Sequence, residues 1–129
     1  EKRTEIVNFI NDQNIDIFFL IETWLKTSGD EPNCRYLTPT GYSIKSFPHH
    51  SHGGGIAVIA KNSMINCLNY TTTFNFYHTS FELVQTTLTL EQRSFHFFSA
   101  STALLLVEKT SSLNLSFWSS FRISWSIKI

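Results

Sequence analysis

Few residues in this chain are of a type and placement that could do chemistry, and Glu22 is the foremost. It closes an apolar run in I-F-F-L-I-E-T-W-L-K, residues 17 to 26. An unpaired charge inside a core is costly, so either Glu22 stands at a strand mouth facing a polar site or the run stops at the surface. A carboxylate at the C-terminal end of a strand supplies the hard oxygen ligand that Mg²⁺ takes. On position alone, a surface acid near a strand end is the simpler reading.

The other candidates are weaker. His49, His50 and His52 in P-H-H-S-H could ligate a metal, but a short His tract without further ligands reads better as a surface loop. His78 is isolated, and His96 alternates with Phe95 and Phe97 as a solvent-facing strand residue does. Gly53, Gly54 and Gly55 lack the G-x-x-x-x-G-K-[ST] pattern of a phosphate loop, and no helix pattern follows them. A flexible lead-in to a strand is the better reading. Cys34 and Cys67 are far apart with no C-x-x-C spacing, which points to neither zinc nor a disulfide framework and makes a reducing compartment the default.

The whole chain sets the bounds. Its 129 residues fit one modest domain, with 42% hydrophobic and 15% aromatic residues to build a core. Ten basic and ten acidic residues cancel, so bulk charge neither favours nor excludes nucleic acid or an anionic membrane. The longest apolar runs fall far short of a bilayer span, and the charged opening E-K-R-T-E is not a signal peptide. The expectation is a soluble intracellular chain, nuclear or cytoplasmic, with no membrane partner.

The elements that must position these residues follow from periodicity. Ile6, Phe9 and Ile10, with Val7 beside them, recur at helical spacing until the polar stop at Asn11 to Asn14. The run I-D-I-F-F-L-I then reads as a strand buried on both faces. A loop at T-S-G-D-E-P-N precedes the strand G-Y-S-I-K-S-F-P, where Tyr42, Ile44 and Phe47 alternate with polar neighbours. The segment after the glycines, I-A-V-I-A, is another apolar strand. S-F-E-L-V-Q-T-T-L-T-L and R-S-F-H-F-F, separated by E-Q, predict a hairpin. The first 98 residues thus read as one helix followed by a strand-rich sheet, an α/β (α+β) arrangement.

From Leu113 to Ile129 the chain is apolar at nearly every odd position, with neither Gly nor Pro. Taken literally this is an amphipathic strand far longer than ordinary ones.

The order D-I-F-F-L-I-E-T-W-L, P-T-G-Y-S-I, G-G-G-I-A-V-I, S-F-E-L-V resembles the endonuclease domain of non-LTR (LINE-type) retrotransposons, a branch of the endonuclease/exonuclease/phosphatase superfamily. The resemblance covers about residues 1 to 98 and rests on four motifs in order. It implies the two-sheet α/β sandwich of that superfamily, of which this chain is a fragment. It implies Mg²⁺ as cofactor, DNA as partner, and Glu22 as the catalytic, metal-binding glutamate that helps activate attack on a phosphodiester. A metal there polarises the scissile phosphate and stabilises the leaving oxygen, while a His–carboxylate pair elsewhere generates the nucleophile. On this reading the strand ends in an acid because it delivers that acid to the metal.

The departures define the rest. The family begins with an Asn-bearing strand before the first helix, and this sequence starts at the helix. The family's G-D-x-N and closing S-D-H do not occur, and the usually basic stretch before G-G-G is P-H-H-S-H. Of the expected catalytic set, only Glu22 is present. The family strand that closes in Y-R-P-P is replaced by S-A-S-T-A-L-L-L-V-E-K-T. Those twelve residues can be encoded so that reading one base earlier gives F-C-L-Y-R-P-P-P-S-R-K-N. The same offset through F-W-S-S-F-R-I-S-W-S-I-K-I gives L-E-Q-F-P-D-F-L-E-Y-Q-D, an acidic amphipathic helix pattern. Residues 99 to 129 therefore read as an out-of-frame tail, excluded from fold reasoning and rich in β-prone apolar surface.

Two functional expectations follow. The first is a remnant of a retrotransposon endonuclease, inactive as this fragment. The alternative is a strand-rich binding or interaction module that uses the aromatic tail as a pairing edge. A third, an abasic-site nuclease or inositol-phosphate phosphatase of the same superfamily, is disfavoured by E-T-W-L together with G-G-G-I-A-V.

Overall fold

A computed structural model describes residues 2–26, 31–48, 54–74, 82–90, 93–100, 104–108 and 123–126. The chain opens with helix α1 (Lys2–Asp12), whose apolar spacing puts Ile6 and Ile10 in the core. Asn14 ends it in the left-handed conformation at φ 51°, which Asn tolerates better than most residues. The amide of Ile15 donates to Ile10 O at 3.0 Å and that of Asn14 to Asn11 O at 3.1 Å, the Schellman pattern. Ile10 and Ile15, the positions whose side chains accompany this motif, both belong to one core cluster.

Strand β1 (Ile17–Ile21) is buried at every position, as its uninterrupted apolar run predicts. It alternates between two cores. Phe18 and Leu20 join Ile6, Ile10, Leu37, Ala57 and Ile59 beneath the helices. Ile17 and Phe19 face the other way, joining Val58, Leu88, Phe95 and Phe97.

Helix α2 (Glu31–Leu37), strand β2 (Tyr42–Phe47) and strand β3 (Ile56–Lys61) follow. The sequence reading placed a loop through T-S-G-D-E-P-N, but the helix already begins at Glu31. Pro32 marks its first turn, where a missing amide costs nothing. A 3-10 helix (Asn62–Cys67) leads to β4 (Leu68–Phe74), then β5 (Glu82–Leu90), β6 (Arg93–Ala100), β7 (Leu104–Glu108) and β8 (Ile123–Ser126).

The strands form two four-stranded sheets, ordered β2-β3-β1-β8 and β4-β5-β6-β7. The first is antiparallel except where β8 runs parallel to β1, Ile17 opposite Ile123. The second is wholly antiparallel, and the expected β5–β6 hairpin closes with Leu90 opposite Arg93. Helices cover one face of the first sheet and the second sheet covers the other, giving three layers of the α+β class. The Phe19 and Phe97 rings meet across the sheets at 5.1 Å, and Phe47 meets Tyr70 at 5.4 Å.

Beyond residue 98, β7 pairs with β6 and β8 pairs with β1, so β1 has a neighbour on each side. Of the long amphipathic strand expected over 113–129, the structure describes Ile123–Ser126 as strand, and the rest lies outside the described residues.

Candidate functional site at the mouth of the first strand

Glu22 immediately follows β1 and is half-buried. Its φ is 55°, and that of Trp24 is also 55°. Both lie in the left-handed region, which costs an ordinary L residue about 1–2 kcal/mol and a bulky aromatic no less. The residue between them, Thr23, is buried, and its Oγ1 accepts a long 3.4 Å bond from the Leu25 amide.

What holds this corner is the glycine segment. The Thr23 amide donates to Gly55 O at 3.1 Å and the Trp24 amide to Gly54 O at 2.8 Å. Gly54 and Gly55 have φ of 80° and 89°, a conformation that side chains disfavour. The sequence treated E-T-W and G-G-G as separate signals. The structure joins them backbone to backbone at the mouth of adjacent strands, and it gives the glycines a conformational role beyond a flexible lead-in. Gly53, like His49, His50, His52 and His78, lies outside the described residues.

Trp24 is 59% exposed although Thr23 and Leu25 on either side are buried. The sequence reading passed over it as a position; the signal was an aromatic residue directly after a polar break in an apolar run. Two residues further, Lys26 lines an open groove of about 890 Å³ between α2 and β2. Arg35, Thr40 and Ser46 line the same groove, as does Glu31.

The opposite end of β1 is tied differently. Lys61 Nζ lies 2.8 Å from Asp16 Oδ1, the Lys61 amide donates to Asp16 O at 3.0 Å, and the Tyr42 hydroxyl donates to Ile15 O at 2.7 Å. Burial raises the Tyr42 phenol above its ordinary value; Lys61 pulls it down and Asp16 pushes it up. Burial raises Tyr70 as well.

His96 lies on the second sheet, where its Nδ1 is 2.9 Å from Gln85 Nε2 and 3.1 Å from Thr87 Oγ1. It is half-buried and not brought to Glu22's strand end. Cys34 and Cys67 are not joined in a disulfide. Among the described residues no three His, Cys, Asp or Glu side chains gather as a metal site. Glu22 offers a single carboxylate at this strand end, and the described residues form no cage around it. Among the described residues no helix is long and apolar enough to cross a membrane.

No family model, curated protein or solved structure matches the chain.

Proposed function

We propose that this chain is a remnant of the Mg²⁺-dependent DNA endonuclease of non-LTR retrotransposons, whose ancestor nicked a phosphodiester to prime reverse transcription. The observation that carries the reading is the meeting of E-T-W with G-G-G: two of the four ordered motifs form one strained corner, with Glu22 at the strand end. Glu22 is the ancestral metal ligand, and DNA the ancestral partner. These 129 residues carry no other member of the expected catalytic set, so by themselves they do not nick DNA.

Mg²⁺-dependent nicking of supercoiled plasmid by purified protein tests the second half of the proposal. No nicking is expected; nicking that Glu22→Ala abolishes overturns the inactivity. The ancestry is tested by reading genomic and transcript nucleotides in three frames across Phe98. A neighbouring frame encoding Y-R-P-P and then G-D-x-N supports it and makes residues 99–129 an out-of-frame tail. A single open frame continuing from a start codon through the tail makes residues 99–129 genuine and puts the interaction-module reading first.

The pairing of β7 and β8 at sheet edges favours a second reading, an interaction module without catalysis. It predicts that deleting residues 99–129 removes partner binding and leaves cooperative folding intact.

A further inference from the structure

We infer that Trp24 and the neighbouring groove form a binding track for single-stranded DNA, with Trp24 stacking one unpaired base and the groove taking the phosphates beside it. The choice of DNA as ligand rests on the endonuclease-derived reading; the track itself rests on geometry.

Trp24 is the starting point. A large aromatic side chain stays 59% exposed in a backbone conformation it disfavours, between two buried neighbours. Nothing in the core requires this, since Leu25 supplies the apolar anchor of the segment and itself joins the cluster under the helices. The surrounding structure over-determines the strained conformation through the 2.8 Å bond from the Trp24 amide to Gly54 O. The consequence is an exposed indole set on a rigid strand end. A flat aromatic surface held in this way stacks any base, because every base has a π-face.

The groove supplies the second half. It begins two residues beyond Trp24 at Lys26, and its α2 wall carries Arg35, so two cations line a cavity of about 890 Å³. Thr40 and Ser46 add hydroxyl-bearing side chains suited to phosphate oxygens, and Glu31 is the one acid among its described lining residues. An aromatic platform beside a cationic groove is the combination that binds single strands without reading their sequence.

The test is fluorescence anisotropy of a labelled oligothymidylate of about twelve nucleotides, titrated with the full chain in EDTA at several salt concentrations. Saturable binding is expected, with Trp24→Ala weakening it roughly tenfold or more and Trp24→Phe retaining most of it. Arg35→Ala should flatten the dependence of log affinity on log salt by about 0.7 for one lost phosphate contact. Tyr36→Ala, which removes an aromatic that is 71% exposed on the same helix, should change nothing.

Wild-type affinity in a folded Trp24→Ala protein, an unchanged salt slope in Arg35→Ala, or no saturable binding by the wild type overturns the inference. Should Trp24→Ala not fold, indole emission decides. DNA quenches the wild type, and Trp24→Phe binds with that quench largely gone; an undiminished quench overturns the stacking. Because EDTA removes any metal-dependent cleavage, binding stands or falls apart from the nicking assay and from the reading of the nucleotide frames.

Discussion

The two ends of β1 meet the same geometric problem with different residues. At the N-terminal end the chain leaves a helix through a left-handed residue, and that residue is Asn14, which tolerates the conformation. Asp16, Lys61 and the Tyr42 hydroxyl then tie the corner together. At the C-terminal end the left-handed residues are a glutamate and a tryptophan, held by bonds to two glycine carbonyls. One end matches residue type to backbone. The other keeps a mismatch, and there the one candidate carboxylate and the exposed indole are found. Strain of this kind persists only where surrounding structure enforces it.

The largest expected effect removes the frame on which both ends depend. Phe19 is fully buried between the sheets and contacts Phe97. Phe19→Ala should cost about 3–5 kcal/mol, the usual cost for a core aromatic, which approaches the whole stability of a small domain. Denaturant unfolding should show this loss with both ends of β1 exposed to proteolysis together. If one end remained protected, the two would be independent units and the comparison would fail.

Gly55→Ala comes next and sharpens the contrast at the strained end. Its φ of 89° puts a new Cβ in the conformation that costs about 1–2 kcal/mol. Chemical denaturation should register that loss, and a change under about 0.3 kcal/mol would mean that the glycine turn does not hold the E-T-W corner.

Tyr42→Phe probes the well-matched end and should cost about 1 kcal/mol at neutral pH, the net value of a hydrogen bond. Its pH dependence has a definite sign. The folded phenol holds its proton more tightly than the unfolded one, whose pKa is 10.0. The stabilisation is therefore complete below about pH 10 and is lost as pH rises through the folded value. Tyr70 is shifted the same way, so Tyr42→Phe should reduce the alkaline loss of stability without abolishing it. An unchanged alkaline limb in the variant would locate the effect elsewhere.

Much of the fold was legible because its signals are local. The apolar run of β1, the 3.6-residue spacing of α1 and the E-Q hairpin each declare themselves within a few residues. Helix α2 was hidden by P-N beside S-G-D, which reads as turn chemistry although Pro is also a good first-turn residue. Strand β4 was missed because Thr71 to Thr73 interrupt the apolar alternation begun by Leu68 and Tyr70. The parallel pairing of β8 with β1 lies beyond local reasoning, since it joins Ile17 to Ile123. At the site, Glu22 stood out as an acid ending a buried run. Its coupling to the glycines did not, because backbone hydrogen bonds leave little trace in side-chain pattern.

The smallest effect is the most direct test of stored strain. Trp24→Gly removes a side chain that is 59% exposed, so little burial is lost. It also gives the position a residue for which φ of 55° is ordinary. The gain from relaxed strain is offset in part by the greater freedom of glycine in the unfolded chain, leaving a net stabilisation of about 0.5 kcal/mol. Asn14→Gly, at a position already suited to its backbone, should move stability by no more than a few tenths. Thermal melting of the two variants side by side compares the ends of β1 with one substitution. If Trp24→Gly destabilises the protein while Asn14→Gly leaves it unchanged, the indole contributes packing rather than strain. It would then belong to the core's periphery and not to a surface held ready for a ligand.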